Sequence, residues 1–308
     1  MGITKYIVKV DGAPTKILDL SDLKAGLSAG AHTITAEAWN GAALISTQTK
    51  NITIAAPSSI DSSLQAVLDY ADTQGFAKPT GAILTALNEL VVDIKGYGLF
   101  SRMDGFFNFA YFSNSLLQPF SRICFKRLIL STISGNVTYS ASGFKGGTNG
   151  FINLFFNPQT TNANGYYKQN LGGRGAVVYS QATSANKVID GEIGEYNNIM
   201  LGESSTVQRI NSGSISTAID FGGTGLMSLN RLDATNLEGF NKAVKTTSTA
   251  ASKVPVSQEI SLFRNVSNYG NTGTSMYYFG DRFTAAEVTN LRTAYNKYLL
   301  AIGLTQYA

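Results

Sequence analysis

The chain is poor in the residues that build disulfides and metal centres. Its 308 residues include one cysteine, Cys124, and one histidine, His32. A single cysteine excludes an intrachain disulfide and a cysteine-based zinc finger, and a single histidine excludes a multi-histidine metal site. Acidic residues are too scattered along the sequence to indicate a calcium site. The sequence therefore predicts neither a metal nor a cofactor.

Charge is also scarce, and long apolar runs are missing. Charged residues make up 14% of the chain, and 24 basic against 20 acidic residues give a net charge of +4. The densest basic group, Arg122, Lys126 and Arg127, lies in an apolar run, unlike the exposed basic clusters that bind nucleic acid. No apolar run approaches about 18 residues, and no secretory leader pattern begins the chain. We expect a protein made in a cytoplasm, with no nucleic-acid partner and no membrane insertion.

Glycine and aromatic residues are abundant, with 31 Gly, 15 Tyr and 17 Phe, as is typical of a β-rich globular protein. Near the N-terminus, apolar and polar residues alternate over residues 6–10 and 31–39. The turn signals Asp11-Gly12 and Asn40-Gly41 follow these segments, and further strand patterns cover 42–47 and 50–55. Residues 1–56 are therefore predicted to form a small sandwich of the immunoglobulin or fibronectin type III kind.

A change of periodicity follows the polar linker that begins at Pro57. Leu64, Val67, Leu68 and Ala71 recur at helical spacing, and a second apolar stripe covers residues 79–95. Glycine and proline residues separate the two segments. Residues 57–99 are predicted to be a linker and a short helical hairpin.

Short apolar segments and polar turns dominate residues 100–308. Eleven segments are predicted strands: 123–129, 137–140, 151–156, 175–179, 187–190, 198–201, 207–210, 225–230, 237–240, 259–265 and 274–279. A capping box from Thr284 to Glu287 predicts a terminal helix. Strands without interleaved helices indicate a mainly β chain whose C-terminal domain is a jelly roll closed by that helix.

Several stretches resemble virion proteins of tailed bacteriophages, notably phages of Bacteroidetes hosts. They are LDYADTQGFAKP (68–79), NELVVDIK (88–95), LFSRMDGFF (99–107), FINLFFNP (151–158), GTGLMSLNR (223–231) and YFGDRFT (278–284). In that family a helical hairpin introduces a concanavalin A-like, or laminin-G-like, jelly roll. The resemblance covers roughly residues 60–303. It implies a non-enzymatic protein on the virion surface, as a head fibre, a capsid decoration or a tail-associated protein. It also implies capsid or tail proteins as partners, and a homo-oligomer.

Loops rich in tyrosine and asparagine are the candidate contact sites. They contain Tyr166 and Tyr167, Tyr196 and Asn197, and Tyr269. An exposed ring can stack on a sugar while amide groups bind its hydroxyls, and tyrosine is also enriched at protein interfaces. Three alternatives stay open: contact with a glycan such as a host surface polysaccharide, contact with virion proteins, and ordinary packing.

Asp190 and Glu192 are the most enzyme-like residues. Carboxylates two residues apart share one face of a strand, and a retaining glycosidase needs two carboxyl groups about 5–5.5 Å apart. The alternative function is therefore a jelly-roll glycan hydrolase, whereas Asp190-Gly191 is read more simply as a hairpin turn with solvated acids. His32 and Cys124 lie in strand patterns and are not expected to be catalytic.

Overall fold

A computed structural model describes most of the chain. The described residues are 5–10, 12–15, 30–40, 42–54, 59–111, 115–159, 165–180, 188–191, 198–200, 208–210, 223–242, 244–254, 257–265 and 268–307. The chain divides into two compact units, Met1–Ile60 and Asp61–Ala308. Across the described ranges, every helix is too short or too polar to span a membrane.

The first unit contains one antiparallel sheet with the strand order β2-β1-β3-β4. The strands are β1 (Lys5–Val10), β2 (Ala13–Thr15), β3 (Gly30–Asn40) and β4 (Ala43–Ile54). β3 ends at Asn40 and β4 begins at Ala43, so the chain reverses where the sequence predicts a turn. The described residues of this unit form no second sheet, so the immunoglobulin-like sandwich stays a prediction for it.

The second unit begins with the two predicted helices, α1 (Ser62–Thr73) and α2 (Gly81–Gly96). Asp61 caps α1 by accepting a hydrogen bond from the Ser63 backbone N–H at 2.8 Å. The Asp61 carboxylate also accepts from Lys95 Nζ at 2.6 Å, which ties the start of α1 to the end of α2. A short helix, α3 (Gln118–Ser121), and the C-terminal helix, α4 (Ala285–Ala301), complete the set of α-helices in the described part of the chain.

Two antiparallel sheets follow in the second unit. The large sheet has the order β16-β15-β14-β10-β20-β8-β7, and β5 also pairs with β20. Its strands are β5 (Met103–Asn108), β7 (Thr138–Ser140), β8 (Gly143–Lys145), β10 (Gly172–Ser180), β14 (Gly225–Arg231), β15 (Asn236–Asn241), β16 (Val244–Thr249) and β20 (Gly273–Gly280). The small sheet has the order β13-β12-β11-β17-β9-β6. Its strands are β6 (Thr132–Ser134), β9 (Phe151–Phe156), β11 (Val188–Gly191), β12 (Asn198–Met200), β13 (Gln208–Arg209) and β17 (Ile260–Leu262). A hairpin of β18 (Arg264–Asn265) and β19 (Asn268–Tyr269) follows β17.

The core lies between these two sheets. Its buried cluster draws apolar side chains from both, among them Ala176, Met227 and Phe279 of the large sheet and Leu154 and Leu262 of the small sheet. Burial of this kind is the main favourable term in folding. The predicted mainly β architecture with a β-sandwich is confirmed.

Helix α4 adds a third layer over strands of the large sheet. The Tyr295 hydroxyl donates to the Ser275 carbonyl at 2.7 Å, and the Tyr298 hydroxyl donates to the Ala110 carbonyl at 2.5 Å. The predicted capping box is present, because the Thr284 and Glu287 side chains each bond the other's backbone N–H. The predicted terminal helix is therefore confirmed, and it packs through tyrosines rather than through aliphatic residues alone.

One predicted strand, residues 123–129, is wrong. These residues form turns after α3, with a single bridge between Ile123 and Leu130. Leu128 has a φ of 50°, and its backbone N–H donates to the Cys124 carbonyl at 2.9 Å, which closes a turn. The apolar side chains of Ile123, Cys124 and Phe125 are buried because the turn packs against the core, not because the backbone is extended.

Candidate functional site

The structure separates the two neighbouring tyrosines that were predicted as contact residues. Tyr166 is 44% exposed, whereas Tyr167 is 1% exposed and belongs to the core between the sheets. The Tyr167 ring packs edge-on against Phe156, with ring centroids 5.7 Å apart. The prediction of Tyr167 as a surface contact is therefore wrong, because the loop directs this ring inward.

Tyr166 and Tyr269 lie at opposite ends of the sandwich. The Tyr166 backbone N–H is bound by Asp104, beside the end of β20, since Met103 pairs with Gly280. Tyr269 stands just before Gly273, where β20 begins. Eight residues of strand extend over roughly 25 Å, so the two rings cannot share one small ligand. Tyr196, Asn197 and Glu192 lie outside the described residues and stay predictions.

An aromatic and polar surface lies beside Tyr269, formed by residues of the small sheet and of the β18–β19 hairpin. Burial alternates along β9, with Ile152 and Leu154 fully buried in the core and Phe151 and Asn153 half-buried on the opposite side. This alternation follows from the two-residue period of a strand. We call the surface formed by Phe151, Asn153, Glu259, Arg264 and Tyr269 the β9 platform.

The aromatic half of the β9 platform is a stack held by a cation. The Arg264 guanidinium carbon lies 3.8 Å from the centre of the Phe151 ring. The Tyr269 ring lies 6.4 Å from that of Phe151 and is inclined to it by 41°. Arg264 and Tyr269 are also paired across the β18–β19 hairpin, so the backbone fixes both side chains relative to each other. A cation over an aromatic face is stabilised by the ring quadrupole.

The polar half of the β9 platform is a hydrogen-bonded network. The Asn153 side-chain amide donates to Glu259 Oε2 at 2.5 Å, and its carbonyl accepts from the Phe155 backbone N–H at 2.9 Å. The Arg264 guanidinium donates to Ser261 Oγ at 3.2 Å, and Ser261 is the residue opposite Asn153 in the sheet. These contacts hold a carboxylate, an amide and a guanidinium in fixed positions beside two rings. Such groups can stack on an apolar face and exchange hydrogen bonds with hydroxyls.

Asp190 does not belong to that surface. It lies in β11 with its side chain fully buried in the core, 3.4 Å from Nη1 of the equally buried Arg174. The Tyr277 hydroxyl donates a hydrogen bond to Asp190, and burial followed by the Asp190 charge raises the pKa of Tyr277 well above its ordinary value. The reading of Asp190-Gly191 as a solvated hairpin turn is therefore wrong. The catalytic alternative for Asp190 has no support either, since its carboxylate faces the protein interior.

Cys124 and His32 are the other reactive side chains that the sequence singled out. Cys124 is buried, and burial raises the pKa of its thiol, which keeps it protonated and unreactive. His32 lies in β3, and its side chain is outside the described set. Among the described residues, no three His, Cys, Asp or Glu side chains are placed to hold a metal ion.

A charged cleft of about 450 Å³ lies beside the start of α4. Arg102 lines it, but its guanidinium is engaged on three sides. Nε donates to Asp281 at 2.9 Å, Nη1 donates to Glu287, and Nη2 donates to the Arg282 carbonyl at 2.5 Å. The network joins the residue just before β5 to the first turn of α4. Its groups satisfy one another, so the β9 platform is the better candidate for ligand contact.

Sequence reasoning named Tyr269 but missed its partners. The FINLFF stretch was predicted as a strand, and its alternation already places Phe151 and Asn153 together on one side. The position of Arg264 over Phe151 depends on the β18–β19 hairpin, which the sequence did not reveal. The signal available in the sequence was Phe151, an aromatic residue on the outward-facing side of a predicted strand.

Comparisons with known proteins give distant structural similarity alone. No family model matches the chain, and no curated protein matches it. Domain 4 of AbnA, a GH43 extracellular arabinanase from Geobacillus stearothermophilus solved with arabinotriose, is similar with a TM-score of 0.42 and 13% identity, over 62% of this chain and 98% of that domain. A Trypanosoma rangeli sialidase solved with sialic acid has a TM-score of 0.42 and 9% identity, over 85% of this chain and 42% of the sialidase. Scores of this size assign neither an activity nor a ligand to this chain.

Proposed function

We propose that the second unit is a non-catalytic glycan-binding β-sandwich, and that the chain is displayed on the surface of a bacteriophage particle. The observation that carries the glycan assignment is the β9 platform, where Arg264 and Tyr269 flank the Phe151 ring. Aromatic faces beside planar polar side chains are suited to a sugar, which has an apolar ring face and a rim of hydroxyls. A binding role also agrees with the interior position of Asp190.

Each part of the β9 platform has a role in this proposal. The sugar ring stacks on Tyr269, whose ring is inclined to Phe151 and held by the hairpin. Glu259 accepts hydrogen bonds from hydroxyls, and the Arg264 N–H groups donate to hydroxyl or carboxylate oxygens. A single shallow contact of this kind binds weakly. Many copies on one particle would bind a polysaccharide tightly, because each further contact forms at high effective concentration.

Binding to an immobilised panel of neutral and acidic bacterial polysaccharides tests the glycan assignment. We expect saturable binding by the full chain to at least one polysaccharide, and at least a tenfold loss in Tyr269→Ala. Tyr166→Ala is the matched control, because it removes the same side chain from an exposed position at the other end of the sandwich. Absence of binding across the panel contradicts the proposal, as does equal loss in both variants. Release of new reducing ends from a bound polysaccharide contradicts the non-catalytic part.

The particle assignment is supported by the sequence resemblance over residues 60–303. The resemblance is compatible with three places on the particle: a head fibre, a capsid decoration or a tail-associated protein. Immunogold electron microscopy of purified particles, with an antibody against the second unit, tests it directly. Label over capsids or tails supports the proposal and selects the position. Particles that carry neither label nor peptides of this chain in mass spectrometry contradict it.

A further inference from the structure

Strand β4 of the first unit is a long edge strand. It is the last strand in the order β2-β1-β3-β4, and among the described residues it pairs with β3 alone. Its twelve residues extend over about 40 Å at roughly 3.3 Å per residue. Every second residue of such an edge presents its backbone N–H and C=O groups away from β3, where a further strand could bind them.

Within the described part of the first unit, the features that usually protect a sheet edge are nearly absent from β4. Residues 42–51 are exposed on both faces of the sheet, and Leu44 and Ile45 are 49% and 53% exposed. The strand contains no proline and one charged residue, Lys50. Natural edge strands are normally kept from pairing by prolines, by several charges, by short length or by a covering segment. A bulge occurs between the pairs of Ala38 and Trp39, and the register from Ser46 to Ile54 is regular.

We propose that β4 pairs antiparallel with β4 of a second copy of this chain across a twofold axis. The two four-stranded sheets would then form one continuous sheet. A twofold axis normal to a sheet keeps each side chain on its own face, so paired residue numbers must add to an even number. This symmetry makes the second copy a partner with a matching edge, as in other isologous dimers.

Side-chain chemistry selects a register centred on Thr49. Thr49 then faces Thr49 of the second copy, Thr47 faces Asn51, and Gln48 faces Lys50. Polar pairs of this type stabilise neighbouring strands. The same face already carries such a ladder inside one chain, where Thr35 and Thr49 hydroxyls lie 3.3 Å apart and Thr33 donates to Asn51 at 3.1 Å. In this register Lys50, the one charged residue of β4, faces Gln48 of the second copy and not the second Lys50.

The mass of the full chain in solution tests the pairing. We expect light scattering after size exclusion to give twice the 32.9 kDa chain mass. Thr49→Lys places two like charges at the axis and should weaken the dimer at least tenfold. Thr85→Lys adds the same charge at an exposed position of α2 and should leave the mass unchanged. A monomeric natural chain at high micromolar concentration overturns the proposal, as does a dimer that persists in Thr49→Lys.

Cysteine cross-linking tests the register and does not depend on a charged variant folding. Opposed residues of antiparallel strands have Cα atoms about 4.5–5.5 Å apart, within the range that a disulfide spans. Thr49→Cys should therefore give a covalent dimer on mild oxidation, and reduction should reverse it. Gln48→Cys is the matched control, because its copy would be displaced by two residues and out of reach. The natural Cys124 is buried and leaves a low background. Cross-linking through Gln48→Cys but not Thr49→Cys overturns the register.

The proposal is independent of glycan binding, and the two tests can fail separately. If both hold, the dimer presents two β9 platforms and increases avidity for a repeating polysaccharide. Thr49→Lys should then reduce retention on an immobilised polysaccharide without changing the affinity for a short oligosaccharide of the same repeat. An equal loss of both would mean that the variant perturbs the binding surface itself, and it would overturn the link to avidity.

Discussion

Replacement of Asp190 by alanine is expected to destabilise the second unit strongly. Asp190 Oδ1 lies 3.4 Å from Nη1 of Arg174, and both side chains are fully buried. The Tyr277 hydroxyl donates to the same carboxylate. Because these groups come from both sheets, the carboxylate connects the two layers. Its removal leaves a guanidinium charge inside the core without its carboxylate counterion.

The magnitude follows from the distance and the burial. Two unit charges 3.4 Å apart attract by about 5 kcal/mol at an effective dielectric constant of 20. Removing one partner of a buried pair typically costs about 3–5 kcal/mol, since the other charge stays desolvated. We expect Asp190→Ala to lower the free energy of unfolding by that amount. Tyr277→Phe removes one hydrogen bond to a charged group and should cost about 1.5–3 kcal/mol.

Urea unfolding with two optical probes measures these changes. Near-UV circular dichroism of the tyrosines reports mainly the second unit, which holds all but one of them, and the fluorescence of Trp39, the single tryptophan, reports the first. Asp190→Ala should shift the near-UV circular dichroism transition of the second unit to lower urea concentration. The Trp39 fluorescence transition of the first unit should not move. Arg174→Met with Asp190→Leu removes both charges and should be more stable than Asp190→Leu alone. A cost below about 1 kcal/mol for Asp190→Ala, or a double variant weaker than the single, would refute the buried-pair argument.

Three smaller predictions concern packing, capping and pH. Gly105→Ala would place a Cβ 2.2 Å from the Phe279 ring and should lower the free energy of unfolding by about 1–3 kcal/mol, which is measured as a lower melting temperature. Gly96→Ala is the control, because its Cβ meets nothing within 4 Å and the variant should not be destabilised. Thr284→Ala should cost about 1 kcal/mol in urea titrations, because it removes the cap of α4. Burial raises the pKa of Glu287, but hydrogen bonds from Thr284 and a neighbouring arginine outweigh this, so the folded pKa lies below 4.5. This contribution to stability is present above pH 4.5 and is lost as the pH falls through the folded pKa. Glu287→Gln should therefore flatten the acid limb of a plot of stability against pH, and an unchanged limb would contradict the assignment.

Local patterns predicted the elements whose burial repeats with their backbone period. The 151–156 strand agrees with β9 because its residues alternate between core and surface, and α4 begins after Thr284 because the capping box is a local signal. The strand prediction for 123–129 was wrong because an apolar run indicates that the residues are buried but does not show whether the backbone is extended. Burial there comes from a turn with Leu128 in the left-handed region.

The candidate site was predictable only in part, because it depends on contacts between distant residues. Tyr269 was named from its loop composition, but Arg264 reaches Phe151 across more than a hundred residues of chain. Asp190 looked like a turn residue because aspartate followed by glycine favours turns. The side chain is buried because Arg174 and Tyr277 bond it from the opposite sheet, and no local pattern reveals such a partner.

The distribution of charge separates stability from recognition in the second unit. Arg174 and Arg231 are fully buried, and Arg231 donates at 2.8 Å to the carbonyls of both Ile210 and Ala250. Substitution of such groups removes cross-links of the core and lowers stability. Arg264 and Tyr269 are half-buried on the outer side, where loss of a ring or cation–π contact costs about 0.5–1.5 kcal/mol, less than the loss of a buried charge partner. Variants of the β9 platform should therefore lose binding while their unfolding transition shifts much less than that of Asp190→Ala. A loss of binding together with a shift as large as that of Asp190→Ala would place these side chains in the structural framework and remove the basis for a ligand site there.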